Sequence, residues 1–165
     1  MHVAAMLFGC TGVLGAAIAL PPAATTLGRA AIAAATLALV GRLARVALAP
    51  QRVFAANGAL LAVHWFTFFA AVESGGVAIA VLGFASFPLF ALPLEAWLLG
   101  RRWRLADTVT AVLVTAGLVV LAGATLDVRA LQIGLAYGLA SGFTFAWLAV
   151  RNRAHAGATE PLAQA

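Results

Sequence analysis

The 165-residue chain has no lysine, one cysteine and few charges of either sign: 9% of its residues are charged. Each scarcity excludes something. Soluble domains carry about 25% charged residues, so this chain cannot cover a water-facing surface. A single cysteine, Cys10, forms no internal disulfide and leaves the redox compartment open. No H-E-x-x-H, C-x-x-C, G-x-S-x-G or phosphate-cradling loop occurs, and His2, His64 and His155 are scattered. The chain therefore reads as a non-enzyme with no metal site and no cofactor. A basic n-region and an A-x-A site before Pro21-Pro22 are also missing, so the first apolar run is a span and not a signal peptide.

What is present is apolar. Hydrophobic residues are 64% of the chain and the mean hydropathy is +1.05. A hydrocarbon core needs about 20 apolar residues of helix. Six segments qualify, Val3–Leu20, Ala24–Gly41, Val53–Val72, Val77–Leu99, Asp107–Ala124 and Leu131–Val150. Lipid offers an open backbone no partners, so such runs must be helical. The expectation is an all-α integral membrane protein of about six transmembrane helices, with the lipid bilayer as its solvent.

The net charge of +5 comes from ten arginines. A nucleic-acid partner needs a solvated basic face, and these arginines fall in short clusters between apolar runs. Arg42, Arg45, Arg52, Arg101, Arg102, Arg104, Arg151 and Arg153 lie in alternate connections or after the last span, against Arg129 alone on the opposite side. The positive-inside rule then places both termini in the cytoplasm, and the location expected is a bacterial-type inner membrane.

Three polar residues and two prolines stand out within the spans. Arg29 and His64 fall near the midplane by helix rise, and Glu95 lies roughly 7 Å inside the fourth span from its inner end. An arginine at the midplane must find a carbonyl, an anion or water, whereas a lone membrane histidine is more often a packing residue. An unpaired carboxylate at the depth of Glu95 costs about 1–3 kcal/mol. It therefore reads either as an ion pair with Arg101, Arg102 or a neighbouring arginine, or as a functional group. Pro88 and Pro93 should bend or loosen the fourth span through its middle and inner half, for packing or for flexing beside a substrate path. Gly9, Gly12, Gly15, Gly138 and Gly142 have helix-packing spacings.

The stretch "HWFTFFAAVESGGVAIAVLGFASFPLFALPLEAWLLGRRWRLADTVTAVLVTAGLVVLAG", His64 to Gly123, resembles the EamA group of the drug/metabolite transporter superfamily. The features that carry the resemblance are the small-residue turn at Ser74 to Val77, the S-F-P at Ser86 to Pro88, the exit at Leu99 to Arg102 and Gly117. The proline-then-arginine entry falls on Pro22 and Arg29, and the histidine–tryptophan pair and embedded glutamate on His64, Trp65 and Glu95. Arg101 departs from the acidic residue usual after the helix-four glycine.

The resemblance implies a five-helix repeat over residues 3–124, a sixth helix over 131–153 that starts a second repeat, and a polar cytoplasmic tail over 154–165. It implies a secondary transporter, an exporter of small metabolites, amino acids or drugs, with proton coupling as one option. Arg29 would meet an anionic group, His64 and Trp65 would line the cavity, and Glu95 would carry a proton or close an inner gate. Relatives have two such repeats, so the chain reads as truncated, a fragment, or one half of a two-part transporter with a second half-transporter chain as partner. The alternative is a non-transporting membrane scaffold or degenerate remnant.

Overall fold

The computed structural model describes residues 10, 17, 20–45, 52–102, 104–122 and 128–155. Among them there is no strand. The helices are α1 (Pro22–Leu43), α2 (Arg52–Phe84), α3 (Phe87–Leu99), α4 (Leu105–Ala122) and α5 (Val128–His155). Three segments, Pro22–Leu43, Ala55–Phe84 and Leu131–His155, are long and apolar enough to cross a membrane, while Phe87–Leu99 and Leu105–Gly117 are apolar but shorter. The expected first span, Val3–Leu20, and the tail from residue 156 lie outside the described residues, apart from Cys10, Ala17 and Leu20.

The polarity of the fold is that of a protein in lipid. Leu27, Ile32, Leu105 and Val120 are at least 70% exposed, while His64, Thr67, Ser86, Glu95 and Ser141 are buried. A chain folding in water hides its large aliphatic residues. In lipid, helices also meet through small and polar residues, and Ala71, Ala80, Ala146 and Ser141 are fully buried here, beside Ile79 and Val150. The described residues form an all-helical arrangement whose long apolar helices are those of an α-helical membrane protein.

Two prolines start α1. Pro22 occupies its first turn, where a missing N–H costs nothing because that donor has no intrahelical partner. Arg42 lies in its last turn, beside the carbonyl-rich end of the helix dipole. The helix packs against α2.

A hairpin wrapped on α5 forms the centre. Gly76, with φ 82° and ψ 168°, breaks α2 internally, a conformation that costs a side chain-bearing residue dearly. Contacts fix the direction of each arm. Along α5, Gly134 meets Gly75 and Ile79, Gly138 meets Gly83, and Ser141 meets His64. At the far end Asn152 reaches Asn57 and Arg153 reaches Glu95. Residues 52–75 therefore run antiparallel to α5, and residues 77–99 run parallel to it. The small-residue stretch Ser74 to Gly76 is the reversal between them.

The fourth expected span, Val77–Leu99, is not one bent helix. It is divided at Ala85–Ser86, where Ser86 donates both its N–H (3.2 Å) and its Oγ–H (2.6 Å) to the Gly83 carbonyl. Leu89 N–H then bonds to Ser86 O at 2.9 Å. The discontinuity thus precedes Pro88, which lies in the first turn of α3 and starts the helix without kinking it. Only Pro93 is inside a helix. A buried cluster of Leu94, Ala146 and Val150, with Phe87, Phe90 and Trp147 against it, joins α3 to α5.

Candidate functional site

The chemistry gathers at the arginine-rich end of the hairpin. Gly100 ends α3 in the left-handed region, φ 62°, a conformation open to glycine without steric cost. Its N–H, and that of Arg101 at 3.4 Å, point to the Glu95 carbonyl. This tight exit folds Arg101 back over the helix it has just left. Arg101 Nη1 meets Glu95 Oε2 at 2.5 Å, and Arg153 Nη1, 58 residues further along the chain, donates to Glu95 Oε1. Arg101 Nη2 also lies 3.6 Å from Asp107 Oδ2, in the first turn of α4. The hydrogen bond and charge of Glu95, then the charge of Asp107, raise the Arg101 guanidinium further above its ordinary value.

Exposure is unequal across this triad. The Glu95 side chain is 6% exposed, those of Arg101 and Arg153 51% and 62%. Exposed ion pairs contribute little, but a buried carboxylate stripped of both partners suffers desolvation without compensation. The pairs are thus readily broken only when water replaces them. Glu95, Arg101 and Arg153 line a cavity of about 300 Å³ with Pro88, Ala91 and Thr110, large enough to hold water.

The two residues before Arg153 hold the other arm of the hairpin. Asn57 Nδ2 donates to Asn152 Oδ1 at 2.6 Å, and Arg151 Nε donates to Asn57 Oδ1 at 3.0 Å. Three consecutive residues at the end of α5 therefore tie together residues 57 and 95.

The remaining expected site residues lie elsewhere. His64 is 3% exposed, its Nδ1 2.8 Å from Ser141 Oγ and 3.1 Å from Ser141 O. The rings of Phe84 and Phe145 stand 5.3 and 5.0 Å from it. His64 therefore acts in this arrangement as an interhelical packing and hydrogen-bonding group. Arg29 sits with Trp65 at the α1–α2 contact, its guanidinium carbon 4.8 Å above the Trp65 ring and 5.7 Å from that of Phe69. Neither Arg29, His64 nor Trp65 lines the cavity at Glu95. Among the described residues no cluster of His, Cys, Asp and Glu is arranged to hold a metal ion.

Sequence reasoning placed Arg101 among the partners of Glu95 but read Arg153 only as a marker of orientation, and it missed Asn57 and Ser141. Asn57 carried a usable signal, an amide five residues into an apolar run. The serine, beside Gly138 and Gly142, had none beyond its small size. No family profile, curated protein or solved structure matches the chain.

Proposed function

We propose that the chain is a secondary membrane transporter in which Glu95, Arg101 and Arg153 form a lock across the inner end of a solute path. The observation that carries this reading is a buried carboxylate lining a cavity and held by two half-exposed arginines from separate segments. A purely structural staple has no need of an open volume beside it. A solute path does, and about 300 Å³ is the lower end of the range for small-molecule sites.

The lock would work by exchange of partners. Protonation of Glu95, or arrival of solute or water in the cavity, removes what holds Arg153 and Arg101 to one point. The end of α5 is then free to part from α3, and the Ala85–Ser86 break provides a place for α3 to turn. Several points support the wider reading: the EamA-like motifs of the sequence, an arginine distribution that favours this end in the cytoplasm, and the six apolar segments counted as spans. The substrate class follows the same resemblance: small metabolites, amino acids or drugs moved outward across a bacterial-type inner membrane.

The experiment measures access to the cavity directly. With Cys10→Ser as background, Ala91→Cys should react slowly with a membrane-impermeant maleimide applied from the cytoplasmic side. Adding Glu95→Gln should speed the reaction at least fivefold. In proteoliposomes, a panel of amino acids, carboxylates and cationic drugs should reveal solute-driven proton movement that Glu95→Gln uncouples. Unchanged labelling together with a silent panel would leave a static helical scaffold.

A further inference from the structure

A second polar site, part-way along the first arm of the hairpin where α1 packs on it, has chemistry the lock does not use. We infer that Arg29 and Thr26 bind a singly charged oxyanion, a carboxylate or a phosphodiester, between α1 and α2. As a substrate contact this rests on the transport reading; as a binding site it stands independently.

Arg29 has an unmet hydrogen-bonding demand. Its Nε is buried and has no hydrogen-bond partner. Stacking on Trp65 and Phe69 recovers only part of what an arginine costs deep in a membrane. The aromatic rings alone do not balance the charge. Nor does a carboxylate among the described residues: their ion pairs join Glu95 and Asp107 to Arg101, and Glu95 to Arg153. Glu73 lies one helical turn beyond Phe69 on the same face of α2, but it is exposed and makes no ion pair with Arg29.

Thr26 is the independent observation. A hydroxyl within a helix commonly donates to the carbonyl one turn back. Thr25, Thr36, Thr67, Thr110, Thr115 and Thr144 all do so. Thr26, 7% exposed, does not, and its Oγ1 is buried without a partner. At a spacing of three residues, Thr26 and Arg29 share one face of α1.

The donor set selects the ligand. A guanidinium only donates, and the fork of Nε and Nη matches two oxygens of one anion. The threonine hydroxyl adds a third donor. One cation balances one charge; a phosphate dianion would keep an unpaired charge in a medium of low dielectric. Trp65 and Phe69 present an apolar wall, which suits an anion with a hydrocarbon portion. A free organic acid and the headgroup of an anionic phospholipid share this chemistry.

The test uses the full chain with Trp97, Trp103 and Trp147 replaced by Phe, so that Trp65 is the only tryptophan. In maltoside micelles its fluorescence is titrated with butyrate and dimethyl phosphate, with methylammonium as a control. In parallel, phosphatidylglycerol retained after purification is measured from nanodiscs with and without that lipid. We expect saturable anion binding that Arg29→Gln weakens at least tenfold and Thr26→Val weakens about threefold, the loss of one hydrogen bond. Retention of phosphatidylglycerol that depends on Arg29, with no response to the soluble anions, supports the same site with a lipid headgroup as its ligand.

Equal binding by wild type and Arg29→Gln, or neither anion binding nor lipid retention, overturns the proposal. So does butyrate binding seen only after Glu73→Gln, which would make Glu73 the native counterion. If Arg29→Gln does not fold, Arg29→Lys and Thr26→Val decide it, and unchanged affinity in both is a refutation. None of these readouts depends on Glu95, so failure here and failure of the lock are distinguishable.

Discussion

Gly83 and Gly138 meet where the second arm of the hairpin lies along α5. A methyl group placed on Gly83 would sit 2.6 Å from Gly138 Cα, 2.8 Å from its carbonyl carbon and 3.0 Å from Leu139 N. One on Gly138 would sit 2.9 Å from Gly83 Cα and 3.4 Å from Ala80 O. Non-bonded carbons settle about 3.5–4.0 Å apart, so Gly83→Ala requires the two helices to separate by roughly 1 Å. Every atom in the way is backbone, and no side chain can rotate to relieve the contact. A gap of that size forfeits about a quarter to a half of each contact's attraction along the seam. It would also strain the Gly134–Gly75 approach and the His64–Ser141 hydrogen bonds.

Overpacking of this kind costs about 1–3 kcal/mol. Gly83→Ala should fall at the upper part of that range and Gly138→Ala near the middle, following their shortest contacts of 2.6 and 2.9 Å. Gly58 and Gly117 are the controls, since a methyl on either meets nothing within 4 Å. In a helix, alanine there should be neutral or stabilising by up to about 1 kcal/mol. The assay is reversible unfolding in mixed micelles of maltoside and dodecyl sulfate, followed by circular dichroism. If Gly83→Ala unfolds at the same midpoint as Gly58→Ala, the close approach of these helices is wrong, and with it the placement of Arg153 on Glu95.

Three further outcomes are expected. Ser141→Ala removes the hydroxyl 2.8 Å from His64 Nδ1 in a buried setting. It should destabilise by about 1–2 kcal/mol in the same unfolding assay. Gly100→Ala forces a side chain-bearing residue to φ 62°, a cost of about 1–2 kcal/mol. It should also loosen Arg101 and raise maleimide labelling at Ala91→Cys. Reporter fusions after Arg153 should be cytoplasmic and those at Ser74 to Gly76 periplasmic; reversed labelling at both places would overturn the proposed orientation.

Properties that depend on local composition were legible in the sequence. The scarcity of charge and the apolar runs give the membrane class and the helical backbone, because both follow from solvent and chain alone. The reversal at Ser74 to Gly76 is visible as a cluster of small residues, and Glu95 is conspicuous as a carboxylate in an apolar run. Hydropathy along a line cannot say which residues meet across helices. Arg153 reaches Glu95 from 58 residues away because glycines at 134, 138 and 142 let α5 lie close against the hairpin, and this sets the register of its last turn. The same register puts Ser141 against His64. The break at Ala85–Ser86 also belongs to the tertiary structure. Proline marked the region, but the hydrogen bonds to the Gly83 carbonyl, packed against Gly142, decide where the helix ends. Arg29 divides between the two: its charge within a span is evident in the sequence, but the unpartnered Nε and the stacking on Trp65 are evident only in the fold.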